Sequence, residues 1–168
     1  RLVASQEGTL LTSVTPDTCM KSPTVHAIVT AISRRLSVTP IHVYRKSSSE
    51  AGEVKERLPN HPAANLLRKP NVWQTRLDFW QDAASTFVRY GRFYAYKSRG
   101  LTGPTRELIP LQPNSVEPKQ ENDYSVTFRV TPANGDVTEY NPSQIFHARG
   151  PARDFLTGDS PVMDVADT

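Results

Sequence analysis

The chain has 168 residues, with 20 basic and 17 acidic side chains and a formal net charge of +3. That length suits one domain whose core is large enough to fold without metal or disulfide staples, and the single Cys19 excludes an internal disulfide and any multi-cysteine zinc site. Short apolar runs and a 37% hydrophobic share set aside a transmembrane helix and a disordered chain, and RLVASQEGTL at the amino terminus lacks the pattern of a signal peptide.

One cysteine fits synthesis in a reducing compartment. The first residue is Arg, not Met, so the chain reads as a processed or trimmed piece. Residues 1–84 hold 11 basic and 7 acidic side chains, whereas residues 85–168 hold 9 and 10. The basic residues come as scattered pairs, Arg34-Arg35, Arg45-Lys46 and Arg68-Lys69. A dedicated DNA-binding protein concentrates them on one face.

Residues 1–21 show no period and are expected to form an extended arm. Ser22-Pro23 is a helix start, with Ser as N-cap and Pro at the first helical position. Val25, Ile28, Val29, Ile32 and Leu36 follow at helical spacing and predict the buried face. Thr39-Pro40 ends the helix. Alternation over Ile41 to Lys46 predicts a short strand, and the polar stretch Ser47 to Leu58, with Gly52, predicts an exposed loop or hairpin tip. Asn60-His61-Pro62 opens a second short helix burying Ala63, Leu66 and Leu67. Thr75, with Asp78 three residues on, opens the strongest helix, a variant of the capping box with the shorter acid. Its apolar stripe is Leu77, Phe79, Trp80, Ala83, Ala84, Phe87 and Val88, and Gly91 is its C-cap.

After Gly91 the period changes to alternation. Strands are predicted at Phe93 to Arg99, Arg106 to Leu111, Val116 to Lys119, Tyr124 to Val130, Asp136 to Tyr140 and Gln144 to Ala148. Gly100–Pro104 and Ala133–Asp136 are hairpin turns, with Asn134-Gly135 the clearest signal. The fold class is therefore α+β: two or three N-terminal helices packed on an antiparallel β meander. The expected organisation is an arm over residues 1–21, one α+β domain over 22–150, and a linker over 151–168. That linker ends in a second Ser-Pro helix start at Ser160-Pro161, and the chain reads as truncated there.

Phosphate-binding glycine loops, nucleophile elbows and HExxH are all absent. His26, His42, His61 and His147 lie at no ligand spacing. His26 reads as a boundary residue, His61 as a helix starter, and His147 as paired with neighbouring backbone. Asp78 and Asp82 read as a cap and a solvated helix face rather than an acid–base pair. Cys19 has no assignable basic partner to make it a nucleophile. Arg89, Arg92, Lys97 and Arg99 surround Tyr90, Phe93, Tyr94 and Tyr96, an interleaving that can bind single-stranded nucleic acid. The plainer reading is a half-buried strand with aromatics inward and charges outward. These four cations are the candidate nucleic-acid-facing residues; no catalytic, cofactor-binding or metal-binding set is found, and no enzyme activity or cofactor is expected.

The order of motifs carries more than any one of them. SPTVHAIVTAISRRLSVTPIHVYRK (Ser22–Lys46) resembles the opening helix and strand of tailed-bacteriophage portal proteins, in the branch of lambda-like long-tailed phages with a chain-mail capsid. HPAANLLRKPNVWQTRLDFWQDAASTFVRYGRFYAY (His61–Tyr96) resembles that family's most recognisable stretch. ELIPLQPNSVEP (Glu107–Pro118), NPSQIFHARG (Asn141–Gly150) and Thr157-Gly158-Asp159-Ser160-Pro161 are similar to later steps in the same order. Departures include Gly91-Arg92-Phe93-Tyr94, where the family has Gly-Asn-Ala-Tyr, and the missing continuation into stem helices and clip.

The resemblance implies the wing portion of a subunit of the portal, or head–tail connector, a ring at the unique capsid vertex through which double-stranded DNA is packaged and ejected. It implies as partners identical subunits (a dodecamer in the full-length protein), the major capsid and scaffolding protein, the packaging motor (terminase) and neck or adaptor proteins. The location implied is the virion, after assembly in the host cytoplasm. The competing reading is a small β-rich nucleic-acid-binding module, carried by the basic and aromatic strand after Gly91.

Overall fold

Ser22 sits in extended backbone (ψ 121°) and hands over to Pro23, whose missing N–H costs nothing at a helix start. The helix that follows is α1 (Pro23–Val38), preceded by a 3-10 turn at Thr18–Lys21. The computed structural model describes residues 15–49, 52–100, 103–151 and 155–166. After α1 come a hairpin of β1 (Tyr44–Ser49) and β2 (Gly52–Arg57), then α2 (Pro62–Arg68) and α3 (Arg76–Tyr90). Strands β3 (Arg92–Arg99), β4 (Thr105–Leu111), β5 (Val116–Gln120), β6 (Val126–Val130), β7 (Thr138–Tyr140) and β8 (Ile145–Arg149) follow, and helix α4 (Pro161–Ala166) comes last.

Local chemistry fixes the helix ends. Thr75 Oγ1 accepts from the Asp78 N–H at 3.2 Å, and Asp78 Oδ2 accepts from the Thr75 N–H at 3.3 Å. This reciprocal box satisfies two N–H groups that the first turn of α3 leaves open. Gly91 closes the other end at φ 68°, its N–H on the Phe87 carbonyl at 2.8 Å. His61 starts α2 as expected, its Nδ1 accepting from the Ala63 N–H at 3.2 Å.

Strand β3 is the middle of a three-stranded antiparallel sheet ordered β4-β3-β8. Its alternation feeds two cores. Phe93 and Ala95 face α3 and join Phe79, Ala83 and Leu108. Tyr94, one residue out of phase, joins Val116, Phe128, Val130 and Ile145 on the opposite face. That second core is closed by another three-stranded sheet, β5-β6-β7. The layers run α1, α3, first sheet, second sheet. Arg76 reaches the Thr39 carbonyl at 2.6 Å while Arg89 reaches Asp17 at 3.3 Å, so α1 and α3 run antiparallel.

The α+β class stands, with several differences in detail. The meander is split, because β8 returns to pair with β3 and not with β7. Helix α1 buries Val29, Ser33 and Ser37, leaving Ile28, Ile32 and Leu36 exposed. The serines are small enough for α3 to approach closely, and their hydroxyls are satisfied within the helix, on the Thr30 and Arg34 carbonyls at 3.1 and 2.9 Å. Leu77 also stays exposed. The strand expected at Ile41 to Lys46 begins at Tyr44, and the loop after it folds back as β2. Residues Thr18–Lys21 of the expected arm are 3-10 helical; residues 1–14 lie outside the described residues.

The path after β8 is set by two glycines. The Gly150 N–H donates to the Gly91 carbonyl at 2.8 Å, and the chain then returns so that Gly158 and Asp159 lie on Gly91. A Cβ on Gly91 would run into the Asp159 carbonyl, and one on Gly158 into the Gly91 carbonyl. Ser160 Oγ donates to the Arg89 carbonyl and accepts from the Met163 N–H at 3.3 Å, so one hydroxyl caps α4 and ties it to α3.

Phe79 is fully buried and meets Trp80 and Phe93 edge-on at 5.1 and 5.9 Å. Phe79→Ala is expected to lower unfolding free energy by about 3–5 kcal/mol in urea titration. Gly158→Ala is expected to cost about 1–3 kcal/mol through backbone overlap. Gly100→Ala, whose Cβ would meet only the Arg106 side chain at 3.4 Å, should be close to neutral. Equal stability of the two glycine variants would show that the chain after β8 is not held on Gly91.

Candidate functional site

The four cations singled out in the sequence occupy separate places. Arg89, in the last turn of α3, pairs with Asp17 at 3.3 Å and lies 5.3 Å from the Tyr90 ring centre. The Tyr90 hydroxyl donates to the same Asp17 oxygen at 2.6 Å. Burial first, and then that carboxylate, push the Tyr90 pKa up to about 12, so the phenol stays a donor. Asp17 thus ties the segment ahead of α1 to the end of α3.

Arg92 shares the β3 face of Tyr94, directly across from Arg149 of β8, and its Nε is buried without a hydrogen-bond partner among the described residues. Lys97 lies on the other face of the strand. Burial, and then the neighbouring Arg99, lower its pKa. Arg99 donates to the Ser143 carbonyl at 2.9 Å. The interleaved aromatics are core residues: Tyr90, Phe93 and Tyr94 are 6%, 3% and 0% exposed. Tyr96 packs beside Tyr140 at 5.0 Å. Base stacking needs open ring faces, and Phe93 and Tyr94 have none to offer.

His147 stacks on Tyr94 at 4.5 Å and meets Phe128 edge-on at 5.5 Å. Its Nε2 is buried without a hydrogen-bond partner among the described residues, where pairing with backbone was expected. Burial, then Arg149 and Arg92, lower its pKa and favour the neutral ring. Cys19 is buried, donates to the Pro16 carbonyl at 3.1 Å, and has its pKa raised by desolvation, the reverse of an activated thiol. Asp78 serves as the expected cap. Asp82 accepts from Gln74 Nε2 at 2.8 Å, and burial, then Asp78, raise its pKa. His26 is exposed, and His42 Nδ1 meets the Arg57 guanidinium at 2.9 Å. Among the described residues no group of His, Cys, Asp and Glu is placed to hold a metal ion.

Sequence reasoning missed three features. One is the Asp17 tie. Another is an apolar groove of about 290 Å³ between Leu36 and Ile41 on one side and Trp80, Phe87, Phe146 and Ala148 on the other. The third is Asn71, 1% exposed, whose amide holds the turn before α3. Its Nδ2 donates to Gln74 Oε1 at 2.8 Å and to the Leu108 carbonyl at 3.2 Å, and its Oδ1 accepts from the Trp73 and Gln74 N–H groups. The Pro70-Asn71 pair was the available signal, since Asn after Pro favours a side-chain-braced turn.

Comparisons with known proteins agree with this architecture. The model of the phage portal protein family matches residues 23–168. A protein of Rickettsia bellii (strain RML369-C), itself uncharacterised, is 26% identical over 112 residues, which is 67% of this chain and 27% of that relative. A solved chain from the neck of an empty gene transfer agent particle, computed with C6 symmetry, superposes with a TM-score of 0.75 at 20% identity. It covers 90% of this chain and 42% of its own length. A chain of the native gene transfer agent virion gives 0.71 at 19% identity, covering 90% and 40%. The native particle's neck, computed with C12 symmetry, gives 0.70 at 19%, with the same coverage. This chain therefore spans well under half of each of these relatives, and at such identities the solved structures speak for the fold. The family match runs from the first residue of α1 to the end of the chain, and the chain belongs to the phage portal protein family.

Proposed function

We propose that this chain is the wing-like part of a portal subunit, one of a ring of identical subunits that connects head and tail at the unique vertex of a virion. Double-stranded DNA is packaged and ejected through such a ring. In this reading residues 22–150 form the body and residues 151–168 lead toward the stem, while the channel-lining helices and the clip lie outside these residues. The observation that carries it is the family match over residues 23–168, together with a fold shared over 90% of the chain with a particle neck. Capsid and scaffolding protein, packaging motor and neck proteins are the further partners of the same reading, with assembly in the host cytoplasm. The chain acts as scaffold and runs no reaction of its own.

The dispersed charge supports a body that stands beside DNA without gripping it. Arg89 is paired, Arg99 sits on a carbonyl, and Lys97 is partly withdrawn from water. Tight phosphate contacts would resist translocation and would give a steep salt dependence. The purified chain is therefore expected to bind short duplex DNA without sequence preference, no tighter than ~1 μM at physiological salt. Nanomolar binding in a fluorescence-anisotropy titration would overturn this reading in favour of a nucleic-acid-binding module. Mass measurement in solution is expected to find no closed dodecamer of this chain, because ring closure is assigned to the stem.

A further inference from the structure

Two unlike surfaces lie on this body, and each supplies what the other lacks. On the β8 edge, Ile28, Ile32 and Leu36 stand one turn apart on α1, exposed by 54%, 41% and 52%. Leu36 also lines the apolar groove with Trp80, Phe87 and Phe146. At about 290 Å³ the groove is at the small end for a metabolite pocket and has no convergent polar groups, so it suits an inserted side chain better than a metabolite. The adjoining hollow shares Ile41 and is lined by Arg57, Arg68 and Arg76, with no carboxylate among the described residues that line it. Among the described residues those guanidinium groups form no ion pair; they meet His42 Nδ1, the Pro59 carbonyl and the Thr39 carbonyl, at 2.9, 3.0 and 2.6 Å.

The β4 edge has the opposite character. Val72 and Trp73 project from the turn before α3, exposed by 73% and 58%. Asn71 holds that turn against the Leu108 carbonyl of β4, and the Leu108 N–H donates back to Pro70 at 2.7 Å. A projecting indole on a braced turn has little freedom to lose when it docks. Beside it, Asp78 and Asp82 are exposed, with no ion pair to either among the described residues. Asp82 flanks a cleft with Pro110 and Leu111 of β4, on the far side of α3 from the groove.

We propose that the Val72-Trp73 turn of one copy of this chain docks in the groove of the next, with Asp78 and Asp82 facing the arginine-lined hollow. The proposal rests on the portal reading above, and names the surfaces by which neighbouring subunits meet. Unlike patches on one chain produce head-to-tail contacts, the kind that generates rings. Trp is also the side chain that most often anchors an interface.

The test is complementation between two variants, analysed by sedimentation velocity over a concentration series. Trp73→Ala keeps the groove and loses the anchor; Leu36→Glu spoils the groove and keeps the anchor. Both sites are exposed, so both variants should fold, with circular dichroism as the check. The parent chain is expected to associate progressively with concentration, and each variant alone roughly tenfold or more weaker. Mixed, the two variants are expected to form a one-to-one pair and stop there. Tyr124→Ala, which removes an aromatic 83% exposed elsewhere, should behave as the parent.

Three results would overturn the proposal. One is a parent chain still monomeric at about 1 mM, a concentration at which even contacts worth only about 4 kcal/mol are half formed. Another is progressive association that neither variant changes, which removes these surfaces and leaves the ring reading standing. The third is a closed two-fold dimer, which removes the ring reading as well.

Discussion

Strand β3 is buried on both faces, and everything else is arranged around that constraint. Its residues alternate between two cores: Phe93 and Ala95 lie under α3, and Tyr94 lies under the second sheet. A shift of one residue would swap the two sets, turning Tyr94 toward α3 and Phe93 and Ala95 toward the second sheet. The register is therefore strongly specified. Its neighbours β4 and β8 inherit their positions from it through antiparallel pairing. The helices inherit theirs through Phe79, which fills the space above Phe93 at a ring separation of 5.9 Å.

A body organised in this way puts its apolar surplus on the rim rather than in the middle. Helix α1 meets α3 through Val29 and two serines, a contact that favours closeness over apolar area. The larger aliphatics stay at the surface, where they extend an open groove. An exposed, contiguous apolar patch of this kind is unusual on a monomer and common where another protein sits. The charged side chains follow the same economy. Asp17 satisfies Arg89 and Tyr90 together.

Much of this was legible from local patterns. The Thr75–Asp78 box, the Gly91 stop and the alternation from Phe93 onward are written in short windows, and each has a mechanism that acts over a few residues. The features that escaped are long-range or depend on small residues. Asp17 and Tyr90 are 73 positions apart, and no spacing rule joins them. The return of β8 to β3 splits the strands into two sheets, and alternation cannot distinguish that from a continuous meander. On α1, apolar periodicity pointed to Ile28 and Ile32, whereas close approach selected Ser33 and Ser37. The basic and aromatic strand read correctly as alternation, but its aromatics proved too deep to serve as a platform.

The crossing of Gly158 over Gly91 has a mechanical side. Main chain rests there on main chain, with no rotamer that could yield between them, and the Ser160 hydroxyl fastens the same point to the last turn of α3. Packed interiors of this kind pass displacement on instead of absorbing it. A pull or twist applied through α4 would therefore arrive at Gly91, one residue from the start of β3, and move the central strand as a lever moves its fulcrum block. The body and α4 are coupled as rigid parts, not hung together on a tether.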